Sequence, residues 1–133
     1  MKALASPSID RAGALALGGL AIAGAALAAA SAQPWPLLVA LLLAPMLEET
    51  VFRAGLQDGL LHAGVTPWQA NVLTALAFTM AHVLLLGASA QTALVLLPAL
   101  LVGAAYNRWC RLRLCIALHM AMNALWIVLQ RLV

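Results

Sequence analysis

Two adjacent carboxylates, Glu48 and Glu49, follow a stretch from Leu37 to Leu47 that holds no charged or polar side chain. Arg53 comes four residues after the second of them. A charged side chain near the centre of a bilayer costs about 2.5–3.5 kcal/mol on insertion scales, so such groups face the protein interior and usually serve a function. At i,i+4, Glu49 and Arg53 share a helix face and can pair, the cation offsetting the cost of taking a carboxylate out of water. Glu48 projects about 100° away around the helix axis and stays free for proton transfer. His119 and Asn123 repeat the i,i+4 spacing, as do Phe78 and His82. A carboxylate with a partner imidazole is a competent base for water. A second imidazole and an amide can donate hydrogen bonds to a developing oxyanion. Glu48, His82, His119 and Asn123 are therefore sufficient for amide hydrolysis, with Glu49, Arg53 and Phe78 in support.

Taken singly, each residue has a plainer reading. A histidine in a membrane helix is often an interhelical hydrogen bond, Asn123 is packing glue, and Phe78 is a wedge. Asn71 has no partner at motif spacing and reads as structural, while His62 reads as a solvated connector residue. Glu48, His82 and His119 also form the donor set of a zinc site with an open position for water. The chemical reading rests on the pieces occurring together on otherwise apolar segments.

The elements that must position these residues are membrane helices. Of 133 residues, 65% are hydrophobic and 8% charged, and the mean hydropathy is +1.03. A water-soluble domain of this size does not bury that much apolar surface. At about 20 apolar residues per span, the fold class is all-α integral membrane, a bundle of about five transmembrane helices in a single domain, 1–133. The first span runs over 12–32. It resembles a signal peptide, with Ala30-Ser31-Ala32 as a cleavage site, but is longer than a usual signal core. The second, 36–57, carries the acidic pair. The third, 68–86, carries Phe78 and His82; the fourth, 91–106, contains Pro98; the fifth, 114–130, holds His119 and Asn123. Connectors fall at 58–67, 87–90 and 107–113. Cys110 and Cys115 match neither a redox pair nor a metal knuckle and read as reduced thiols.

Charge orients this arrangement. With the N-terminus inside, Lys2, Arg11, Arg108, Arg111 and Arg113 lie on the cytoplasmic side and only Arg131 falls outside, which satisfies the positive-inside rule. The expected location is the cell inner (plasma) membrane. With so few charges, nucleic acid is not a partner; the lipid bilayer is.

The three polar pieces, Glu48-Glu49-Thr50-Val51-Phe52-Arg53, Phe78-Thr79-Met80-Ala81-His82 and His119-Met120-Ala121-Met122-Asn123, resemble the pattern of the CAAX-protease and bacteriocin-processing (CPBP) intramembrane proteases. That pattern, also called the Abi domain, reads Glu-Glu-x-x-x-Arg, Phe-x-x-x-His and His-x-x-x-Asn, and includes the type II CAAX prenyl endopeptidases. The similar region, 37–129, is the expected catalytic core. The resemblance implies an intramembrane endopeptidase of glutamic type with no obligatory cofactor. Glu48 and His82 would activate water, His119 and Asn123 would stabilise the oxyanion, and Glu49 and Arg53 would support. Zinc is the mechanistic alternative. The implied partner is a membrane-associated peptide or protein substrate. Prenyl endopeptidases of this type are larger, often with eight spans, so the chain resembles their bare core. The alternative function is a non-catalytic membrane factor that binds a peptide and confers bacteriocin immunity.

Overall fold

The structure, a computed structural model, describes Leu15, residues 18–24 and residues 34–132. Leu15 and 18–24 are helical; the rest of the expected first span, with the alternative cleavage site, lies outside the described residues. Four further helices are each long and apolar enough to cross a membrane: α1 Pro34–His62, α2 Pro67–Leu86, α3 Ala90–Trp109 and α4 Leu112–Leu132. No strand occurs among the described residues. The chain is an all-α membrane bundle.

Three tight turns join these helices, so successive helices run antiparallel. Gly64 and Gly87 take positive φ (85° and 88°), which costs a glycine little, at the first two turns. Ser89 caps the start of α3 in a reciprocal box with Thr92. Cys110 closes α3 in the left-handed region at φ 49°. The expected connectors shrink accordingly. Residues 58–62 complete α1 and 107–109 complete α3, so His62 is an exposed residue of a last helical turn and Asn107 is helical.

Two helices are irregular where proline withholds a donor. The winding of α3 breaks at Val95, three residues before Pro98. In α1 the turns widen to i→i+5 bonding over Val39–Leu43, just before Pro45, and again over Thr50–Gln57. The second widening starts where the Thr50 hydroxyl donates to Met46 O at 2.7 Å, in competition with the helical ladder. In a regular α-helix, positions i and i+8 are rotated by about 80°. Wider turns rotate less per residue, which keeps Glu49, Arg53 and Gln57 on one buried face.

The interior is inverted relative to a water-soluble protein. Its largest fully buried side chains are Arg53, Gln57, Glu49, Asn71, Thr74, Pro45 and Cys115, while Leu47, Leu84, Leu85 and Leu101 are exposed. In lipid, apolar side chains lose nothing by facing outward, and polar ones must find partners within. Packing is uneven along the bundle. The C-terminal half of α1 packs on α2, α3 and α4, whereas Val39–Glu49 packs on α4 and, at Leu41 and Leu42, against Gly24, and not on α2 or α3. The helices therefore part toward the end that carries Pro34, Leu86 and Ala90.

Candidate active site

The parting of the helices leaves a cavity of about 660 Å³. Glu48 and Glu49 line it from α1, Phe78 and His82 from α2, and His119 and Asn123 from α4, with Val95 and Pro98 on the α3 wall. Most of the remaining lining is apolar, including Leu94, Leu97, Val102, Met122 and Trp126. Four residues chosen for their chemistry on three different helices thus border one space.

The two carboxylates flank a single imidazole. Glu49 Oε1 lies 2.8 Å from His119 Nδ1, and Glu48 Oε2 lies 3.6 Å from His119 Nε2. A carboxylate at Nδ1 accepts the hydrogen there, so in the neutral ring Nε2 carries the lone pair on the Glu48 side. The carboxylates differ in setting. The Glu48 side chain is 27% exposed, and that of Glu49 is 1% exposed. His82 stands across the cavity on α2. Its Nδ1 donates to Phe78 O at 3.0 Å, which in the neutral ring puts the lone pair on Nε2. The Phe78 ring packs between the two histidines, with centroids 4.4 Å from His82 and 5.8 Å from His119. Asn123 donates one amide N–H to Ala40 O at 2.9 Å. Its second N–H has no other partner among the described residues.

From Glu49 a line of hydrogen bonds, buried as far as Gln57 and Gly103 and reaching the surface at Asn107, runs away from the cavity along α1. Arg53 donates to Glu49 Oε2 through Nε (2.9 Å), to Gln57 Oε1 through Nη1 (3.1 Å) and to Ala99 O on α3 through Nη2 (3.1 Å). Gln57 Nε2 donates to Gly103 O (2.9 Å) and to Asn107 Oδ1 (2.8 Å), and Asn107 Nδ2 donates to Pro67 O (2.7 Å). A buried guanidinium is tolerable only when its donors are satisfied and its charge is opposed. Here each of the three guanidinium nitrogens donates a hydrogen bond and Glu49 opposes the charge. Asn71 on α2 donates to Leu100 O at 3.1 Å, so its reading as structural fits its surroundings.

With the geometry in view, comparison with known proteins adds the family. The sequence matches the type II CAAX prenyl endopeptidase Rce1-like family over residues 30–125. The chain belongs to that family. No curated protein and no solved structure matches it. Membership of the Rce1-like family makes the chain a membrane protein of a protease class. The matched segment contains all three polar pieces.

For an Rce1-like site the layout departs from the sequence expectation in one respect. Glu48 was expected beside His82, yet the imidazole it approaches is His119, which Glu49 also holds. The reason lies in the parting of the helices: the part of α1 that carries Glu48 packs on α4 and not on α2. Glu48, His82 and His119 do not form a metal-binding group as they stand, and no cluster of three His, Cys, Asp or Glu that could hold a metal occurs among the described residues. Gln57 and Asn107 were not foreseen as part of the network. The signal for Gln57 was present, since 49, 53 and 57 continue one i,i+4 series. Asn107 had no such signal, because only the packing of α3 on α1 brings it to Gln57.

Proposed function

We propose that this chain is an intramembrane endopeptidase that hydrolyses a peptide bond of a membrane-associated protein or peptide by a glutamic-type mechanism. One observation carries the reading: Glu48, His82, His119 and Asn123 border a single, mostly apolar cavity inside a membrane bundle. Water held at Glu48 gives up a proton to the carboxylate as its oxygen attacks the scissile carbonyl. His119, oriented by Glu49, assists Glu48 from one side, and His82 faces the same space from α2. The free N–H of Asn123, joined by the Nε2–H of His82 or His119 when that ring is protonated, stabilises the oxyanion, a contribution of about 10²–10³ in kcat per donor. Glu48 then returns its proton to the leaving amine as the C–N bond breaks. Positioned proton transfer of this kind contributes about 10²–10⁴.

The same reading places the protein in the cell inner membrane with Arg108, Arg111 and Arg113 on the cytoplasmic side and no obligatory metal. The test is cleavage of a panel of membrane-anchored peptides by the full chain in liposomes, with and without a strong chelator. Glu48→Gln lowers kcat by about 10²-fold or more while the protein stays folded. Chelation leaves the wild-type rate unchanged. Full activity of a folded Glu48→Gln protein would rule the mechanism out, and loss on chelation with recovery on zinc would replace it with the metal variant. A host still protected from bacteriocin by Glu48→Gln would instead favour the immunity factor.

A further inference from the structure

Pro45 sits three residues before the acidic pair, is fully buried, and takes no part in the chemistry just described. In the widened turn before it, the Ala44 N–H bonds to Val39 O, five residues back. The next bond of that register would run from residue 45 to Ala40 O. Proline has no N–H, so that bond cannot form and Ala40 O is left without its helical donor. In a bilayer a carbonyl without a partner is costly even when only partly buried, and the group that reaches this one is the Asn123 amide of α4, at 2.9 Å. The orphaned carbonyl and the amide meet at the cavity wall, where Ala40, Ala44 and Asn123 all lie.

We infer that Pro45 is a positioning residue for the reaction: by freeing Ala40 O it creates the acceptor that latches Asn123 and ties the N-terminal half of α1 to α4. This rests on reading the cavity as the proteolytic centre. The latch has two consequences. It turns the Asn123 amide so that one N–H is spent on α1 and the other is left for the cavity. It also sets the approach of α1 to α4, and with it the 3.6 Å separation of Glu48 and His119. On either side of Pro45 the same helix thus supplies the acceptor that holds Asn123 and the carboxylates that hold His119.

Pro45→Ala and Pro45→Leu both restore an N–H for the Ala40 carbonyl, the second while keeping side-chain bulk. Two readouts on the full chain decide the matter. In micelles, the Asn123 side-chain amide, identified by its loss in Asn123→Ala, should exchange with solvent about tenfold faster in both variants once Ala40 O is shared. In liposomes, on the peptide of the panel that the wild type cleaves best, both variants should lose kcat by about 100-fold, the scale of a misplaced catalytic group, with KM within about twofold. Melting should hold or rise, since a proline is removed from a helix. In an Asn123→Ala background Pro45→Ala should cost nothing further, because both act through one hydrogen bond. An unchanged amide, wild-type kcat in both variants, or loss in the alanine variant alone overturns the inference. A wild type that cleaves no peptide while its variants still release the amide supports the latch and removes the proteolytic reading.

Discussion

Glu48 and Glu49 are chemically identical neighbours with opposite surroundings. Glu49 is buried between the Arg53 guanidinium and the His119 ring, so its charge is part of what makes the buried cation tolerable. Glu48 is partly exposed to the cavity and makes one long contact. Substituting glutamine should therefore separate the two. Glu49→Gln leaves Arg53 without a counter-charge, and removing one partner of a buried pair costs about 3–5 kcal/mol, read as a large drop in melting temperature in detergent. Glu48→Gln should shift stability by no more than about 0.5 kcal/mol, as expected away from buried networks, while activity disappears. Equal melting of the two variants would show that the division of labour between them is wrong.

Helix approach depends on a single missing side chain. A Cβ built on Gly103 of α3 would collide with Asn71 Oδ1, lie 2.8 Å from Asn71 Cγ and 3.1 Å from Arg53 Nη1. Small residues at membrane helix contacts let backbones come close enough for polar side chains to cross, and Gly103 O accepts from Gln57 at that point. Gly103→Ala should push α2 and α3 apart and cost about 1–3 kcal/mol, the range for overpacking a filled interior. Adding Asn71→Ala should recover part of that loss, because it removes the colliding atoms at the cost of the bond to Leu100 O. A melting curve for Gly103→Ala indistinguishable from wild type would mean the helices have slack that the contacts do not indicate.

At the scale of the whole molecule, tryptophans and charges give the bundle two distinct ends. Trp68 and Trp109 mark the end where α1 passes to α2 and α3 passes to α4, next to exposed Arg108, Arg111 and Arg113. Trp35 lies at the other end, which carries the turn between α2 and α3 and toward which the helices part. Aromatic side chains favour the two membrane interfaces, and basic ones favour the cytoplasmic side. In intact cells a membrane-impermeant thiol reagent should fail to reach Cys110, at the basic end, and should label a cysteine introduced at Ala88. The reverse pattern would invert the proposed orientation. Cys115 is fully buried and should stay silent in both cases.

Much of this protein was determined locally along the chain. The four described spans follow from hydropathy and turn residues, because a helix in lipid satisfies its backbone within itself and needs no distant partner. The pairing of Glu49 with Arg53 follows from i,i+4 spacing for the same reason, and so does the choice of residues that border the cavity. The tertiary structure decided what crosses between helices. It turned His119 toward both carboxylates, left His82 on the opposite wall, carried Gln57 to Asn107 and gave Asn123 the carbonyl of Ala40. Those contacts depend on how far apart four helices stand and where proline widens or breaks them. Such distances are the sum of many packing interactions between residues remote in sequence, so the spacing along any one helix does not contain them.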